Sequence, residues 1–310
     1  MMEKARKKIA ESKVDNYLKS ASNLTFLVGA GISMDPPTSL PSAIEIGQTL
    51  IRLCTPKKYH EKLMKIQSLR FEMIISQMVI YIGDALSYLD YFDLYKKPNL
   101  IHYFLAHILE KKSLILTTNF DNMVEYAAMN IYGNECQDLI VPVITKEDFL
   151  QYSEPNDILT ENKYGIYKIH GSKTDVIKQR DTTQSLITTM ESLGKNKKKG
   201  ETFSLESFKR IAFNNLTRDR TLVVMGYSGN DDFDIGPTLK KINGIRRLIW
   251  IEHSKSLKCN TMKFNIIDKT SKDDGNRLNK LLKDISHRNN CNIIKISVNT
   301  GNFVREKLWP

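Results

Sequence analysis

Short runs of consecutive apolar residues, many of them β-branched, recur along this chain at residues 24–28, 114–116, 139–144, 166–169, 222–225, 248–251 and 293–298. A strand with one wet face alternates apolar and polar residues. A run that is apolar on successive residues belongs to a strand buried on both faces, which means a parallel sheet covered by helices. The intervals carry helical signals. Ser42-Ala43-Ile44-Glu45 is a capping box opening a periodic stretch to about residue 53. Residues 120–131 read as a helix closed by Gly133, and residues 205–216 as another. This alternation predicts a doubly wound α/β fold with a mainly parallel sheet.

Residues 1–310 are expected to form one such domain with two departures. Residues 56–111, rich in Met, Ile and Tyr, are expected to form a helical insertion beside the sheet. Residues 174–201 are polar and lysine-rich and are expected to form a flexible excursion. The formal charge of +11 raises nucleic acid as a partner. Its densest run, Lys195 to Lys199, has no neighbouring aromatics to stack bases, so the sequence argues against direct nucleic-acid binding. The apolar runs are far shorter than the ~20 residues of a membrane span, and the basic N-terminus is followed by no apolar stretch. The chain therefore reads as cytoplasmic. The four cysteines form no CxxC pair, so neither a disulfide framework nor a zinc site is expected.

The chemistry is concentrated where the strands end. Gly29-Ala30-Gly31-Ile32-Ser33 follows the first strand, where glycines let backbone approach a pyrophosphate. The dinucleotide fingerprint would place Gly or Ala at position 34; Met34 stands there, and Pro36, Pro37 and Pro41 delay the next helix to about Ser42. Thr117-Thr118-Asn119-Phe120-Asp121 follows the second strand. Its Asn and Asp are good helix caps, and they also project an amide and a carboxylate from the sheet edge. His170 ends an apolar strand and precedes Gly171, a setting for a general base at the rim. Gly226-Tyr227-Ser228-Gly229-Asn230-Asp231 follows a further strand, and Glu252 ends another, where a carboxylate accepts hydrogen bonds from a ribose diol. Capping, turn formation or surface exposure would explain each feature singly. Their repetition at five strand ends points to one ligand site on the carboxyl edge of the sheet.

In this order the motifs GAGIS, TTNFD, KIHGS and GYSGND resemble the Sir2 superfamily, and within it the Sir2-like domains of prokaryotic defence proteins, over roughly residues 23–253. The resemblance implies a Rossmann-type NAD site. Gly29, Ala30, Gly31, Ile32, Ser33 and Thr118 would hold the cofactor together with Gly226, Ser228 and Glu252. Asn119, Asp121 and His170 would act at the nicotinamide ribose. Sirtuin deacylases carry two CxxC pairs in a zinc module and a Phe-Arg after the glycine loop; this sequence has neither, and it has Thr118 where sirtuins place Gln. The expected activity is therefore hydrolysis of NAD+, as substrate and without a metal, to nicotinamide and ADP-ribose. That would deplete NAD in anti-phage abortive infection. The competing readings are an NAD-dependent protein deacylase and a non-catalytic NAD-sensing adaptor. A free NADase would be toxic, so the chain is expected to act as a homo-oligomer or as a subunit or domain of a larger defence complex.

Overall fold

The computed structural model describes residue 14 and residues 24–66, 69–83, 87–187, 204–229, 234–254, 262–271, 274–291 and 293–309. Its centre is an eight-stranded sheet. The strands are β1 (Leu24–Val28), β2 (Leu114–Thr117), β3 (Ile140–Val143), β4 (Tyr164–Lys168), β7 (Thr221–Met225), β8 (Arg247–His253), β9 (Lys263–Ile267) and β10 (Ile293–Val298), in the order β3-β4-β2-β1-β7-β8-β10-β9. Every pairing is parallel except that of β9 with β10. Two short strands, β5 (Thr174–Asp175) and β6 (Arg180–Asp181), form a separate antiparallel pair. The principal helices are α1 (Ala43–Cys54), α2 (Phe71–Ile82), α3 (Leu100–Ile108), α4 (Met123–Tyr132), α5 (Ser207–Thr217), α6 (Ile235–Lys241) and α7 (Arg277–Asn289). This is the mainly parallel α/β architecture of the Rossmann type.

The continuous apolar runs have the cause inferred for them. All five residues of β1 are buried, but alternate ones feed different cores. Leu24, Phe26 and Val28 pack with Ile115, Val223 and Ile249 beneath α3 and α4. Leu27 packs with Leu116, Leu222 and Trp250 beneath α5, α6 and α7. Burying such a side chain contributes roughly 1.5–3 kcal/mol, so two cores sharing one sheet fix its strand order firmly. The edge strand β9 was not legible as an apolar run. Its burial alternates, because one face of Lys263–Ile267 lies open, and its sequence KFNII follows that period.

The capping box is present as read: Ser42 Oγ accepts from the Glu45 amide, and Glu45 Oε2 accepts from the Ser42 amide. The helix expected from Phe120 starts instead at Met123, because Asp121 Oδ1 accepts the Met123 amide at 3.1 Å and residues 120–122 stay in a turn. Residues 56–111 contain α2, α3 and several shorter helical turns, and α2 packs on α1 through Leu50 and Ile75. Of residues 174–201, residues 174–187 fold back onto β4's exit: the Ile187 amide donates to the His170 carbonyl at 2.9 Å. The run Lys195 to Lys199, Asn230, Asp231 and Cys259 lie outside the described residues.

One buried charge pair ties the sheet to α4. Lys168, at the end of β4, is 0% exposed, and its Nζ donates to the Asp121 carbonyl, to Asn122 Oδ1 at 3.0 Å and to Glu125 Oε1 at 3.1 Å. Burial pushes the Glu125 carboxyl up, and Lys168 pulls it back. Removing one partner of a buried pair strands the other, which costs about 3–5 kcal/mol. Lys168→Met is therefore expected to lose stability of that order in denaturant unfolding at neutral pH. The loss should shrink in acid, where Glu125 takes up a proton.

Candidate active site

The carboxyl ends of β1, β2, β4, β7 and β8 open into one cavity of about 440 Å³. That lies in the ~300–1,000 Å³ range of small-molecule sites. The cavity sits where the connections from β1 and β7 leave the sheet toward opposite edges, the place at which open α/β sheets bind ligands. Ala30, Gly31, Ser33, Thr118, Asn119, Asp121, His170, Gly226, Ser228 and Glu252 all line it. Sequence reasoning had selected each of these. Gly29 and Ile32, in the same loop, are not among the lining residues.

Their place explains the glycines. The Gly29 amide donates to the Met225 carbonyl at 3.1 Å, and the Gly31 amide to the Gly226 carbonyl at 2.8 Å. A Cβ on Gly31 would stand 2.8 Å from that same carbonyl oxygen. Gly226 itself has φ +66°, and a Cβ there would lie 2.6 Å from the Ile32 nitrogen. The glycines thus allow two strand-end loops to dock backbone to backbone, and this contact shapes the cavity floor.

Ser33 is the hub of a buried polar network. Its hydroxyl donates to Asp121 Oδ2 at 2.9 Å. Asn119 Nδ2 donates to Ser33 Oγ at 3.3 Å and to Asp121 Oδ2 at 3.1 Å. His102 Nε2 lies 3.1 Å from Ser33 Oγ. The tautomer follows from the bonding. His102 Nδ1 accepts the Asn99 amide at 3.0 Å, so in the neutral ring Nε2 carries the proton and donates to Ser33. Burial pulls the His102 pKa down to about 4, against the opposing pull of Asp121, so the ring is neutral at physiological pH. Asn99 caps α3 through Oδ1 and clamps the glycine loop by donating from Nδ2 to the Ile32 carbonyl at 2.8 Å. Both Asp121 oxygens are already acceptors within the protein. The amide orientation of Asn119 is set by these partners, and its Oδ1 is left buried with no hydrogen-bond partner among the described residues. An acceptor so placed is costly unless a ligand supplies the donor.

The second constellation is at β4. Gly171, with φ +78°, turns the chain after His170; a Cβ there would stand 2.4 Å from the Ser185 carbonyl oxygen. His170 Nε2 is 3.3 Å from Asp234 Oδ1, and their side chains are 13% and 1% exposed. The carboxylate accepts a hydrogen bond from Nε2–H, so in the neutral ring Nδ1 is the unprotonated nitrogen. The Phe120 ring lies beside His170, with centroids 6.2 Å apart. At the far end of the cavity Glu252 Oε2 accepts from Ser297 Oγ at 2.7 Å and pairs with Lys295 at 3.5 Å.

His102, Asn99, Asp234 and Glu72 escaped sequence reasoning. None lies at a strand end. His102 had one signal, its place three residues after the helix-capping Asn99.

Residues 113–251 match the family model of the SIR2-like domain. The match spans TTNFD, KIHGS and the Gly226 turn; the glycine loop precedes it. It supports placing the chain in the Sir2 superfamily, and SIR2-like domains bind NAD. No curated protein matches the chain. The residues fit such a ligand: an orphaned acceptor on Asn119, a glycine-built floor and a carboxylate at the end of β8 lie in one cavity. Among the described residues no group of three or more His, Cys, Asp or Glu could hold a metal, and no helix is long and apolar enough to cross a membrane.

The buried His102 gives the site a pH signature. Its folded pKa lies below the ~6.5 of a free histidine, so the unfolded chain binds more protons in acid. Its contribution is complete above pH ~6.5 and is lost as pH falls toward 4, by on the order of 3 kcal/mol. Thermal melts across this window should show wild type losing stability relative to His102→Gln as pH falls. Parallel curves would contradict a neutral buried ring.

Proposed function

We propose that this chain is an NAD+ glycohydrolase that cleaves NAD+ to nicotinamide and ADP-ribose. The observation that carries the reading is the convergence, in one cavity, of the Ser33-Asn119-Asp121 network with its unused Asn119 acceptor and the His170–Asp234 pair. The nicotinamide bond breaks through an oxocarbenium-like sugar, and the leaving group already carries positive charge. The protein's task is then to position the ribose, stabilise developing charge and manage the water proton. Asn119 presents Oδ1 to a ribose hydroxyl or water. Asp121 holds Asn119 and Ser33 in register. His170, oriented by Asp234, polarises a ribose hydroxyl or the attacking water. Ala30, Gly31, Gly226 and Ser228 would lie along the pyrophosphate, and Glu252 would accept from the adenosine ribose.

Hydrolysis is favoured over deacylation because the sequence carries no CxxC pair with which to frame an acyl-lysine channel. The resemblance of the glycine-loop stretch to defence proteins makes NAD depletion during phage infection the biological role we propose. The chain would act as a homo-oligomer or within a larger complex that restrains it.

The purified chain should release nicotinamide and ADP-ribose from NAD+. His170→Ala and Asn119→Ala should each lower that rate about 100-fold or more. Formation of O-acyl-ADP-ribose from an acyl-lysine peptide, or tight NAD+ binding without nicotinamide release, would overturn the reading. Asp234→Asn should reduce kcat about tenfold or more with KM little changed, and in the double variant it should add nothing to His170→Ala, because it acts through that ring. Additive losses would show that Asp234 acts elsewhere.

A further inference from the structure

A third carboxylate enters the cavity from the helical insertion rather than from the sheet. Glu72, in the first turn of α2, lines the cavity with Ser33, Asn119 and His170. Its Oε2 is buried with no hydrogen-bond partner among the described residues. The other cavity carboxylates are engaged. Asp121 accepts through both oxygens, and Glu252 is held by Ser297 and Lys295. Burial pushes the Glu72 carboxyl up from its ordinary value; among the charged groups facing it, His170 lowers it, Asp234 raises it, and Arg70 at the start of its own helix lowers it. Glu72 thus shares the cavity with His170 and is near enough to the His170–Asp234 pair to feel both charges.

We infer that Glu72 is the general base that takes a proton from the water attacking C1′ of the nicotinamide ribose. The inference rests on the glycohydrolase reading. The bond between C1′ and the nicotinamide nitrogen breaks, and its electron pair leaves with the nicotinamide, whose ring becomes neutral. The water oxygen bonds to C1′. One water proton passes to the Glu72 carboxylate and from there to solvent. No oxidant or reductant is required. The division of labour is then set: His170, held by Asp234, serves the ribose hydroxyl, and Glu72 serves the water. It also gives the insertion a purpose, since α2 carries the group that the strand ends lack.

The test uses the purified full chain, with nicotinamide release followed by chromatography and NAD+ binding by calorimetry. Glu72→Gln and Glu72→Ala should bind NAD+ within about threefold of wild type, while kcat falls by about 10²–10⁴. Sodium azide, an anionic nucleophile that needs no base, should restore nicotinamide release to Glu72→Ala and yield an azido-ADP-ribose, but should not rescue His170→Ala. The inference is overturned if Glu72→Gln keeps kcat within about threefold of wild type, if NAD+ binding is lost along with turnover, or if azide fails to rescue Glu72→Ala or rescues His170→Ala instead. A wild-type chain that binds NAD+ yet releases no nicotinamide overturns the glycohydrolase reading itself, and this inference with it.

Discussion

The hydroxyl of Ser33 is the point at which three remote parts of the chain are held together. It accepts hydrogen bonds from His102 Nε2 on α3 and from Asn119 Nδ2 at the end of β2, and it donates to Asp121. Each partner is fixed in turn: His102 by the Asn99 amide, Asp121 by the Met123 amide, and the Asp121 carbonyl by buried Lys168. Every donor and acceptor in this chain of bonds has a defined direction, so the network has one low-energy arrangement. Among the described residues the Ser33, Asn119 and Asp121 side chains leave one buried acceptor without a partner, Asn119 Oδ1. Asn119 lines the cavity, and a donor supplied by a molecule bound there would satisfy that atom.

The rest of the structure serves that point. The two cores on either face of the sheet hold the strand ends in register, and the backbone contact between the Gly29–Gly31 loop and Gly226 closes the floor. These glycines have a structural job of their own, because the Gly31 amide is already donated to the Gly226 carbonyl. The helical insertion contributes from the other side, covering the cavity with Phe71, Glu72 and Phe92. The site is thus a seam between a rigid sheet edge and a helical cover.

Much of this was legible in the sequence, for definable reasons. Strands buried on both faces announce themselves as unbroken apolar runs, and residues 24–28 and 293–298 were placed without error. Strand ends followed by Gly, Asn, Asp or His marked the sheet edge, so Ser33, Asn119, Asp121 and His170 could be named together. Legibility failed where the signal was tertiary. Asp234 meets His170 across 64 positions of sequence, a contact that no local pattern announces. His102 reads as an ordinary helical residue until α3 is packed against the glycine loop. Glu72 is a helix first-turn acid like many others, and nothing local distinguishes it. Strand β9 was missed because its half-exposed pattern is polar at alternate positions.

The match over residues 113–251 and the cavity geometry converge on NAD, and the account's central claim is where that molecule lies. The most direct measurement is a crystal structure of the full-length His170→Ala variant with NAD+ bound. The account predicts the nicotinamide ribose beside Asn119 Oδ1 and Glu72, the pyrophosphate against Ala30, Gly31 and Gly226, and the adenosine ribose near Glu252. NAD+ bound elsewhere on the chain, or in this cavity with its ends reversed, would contradict it.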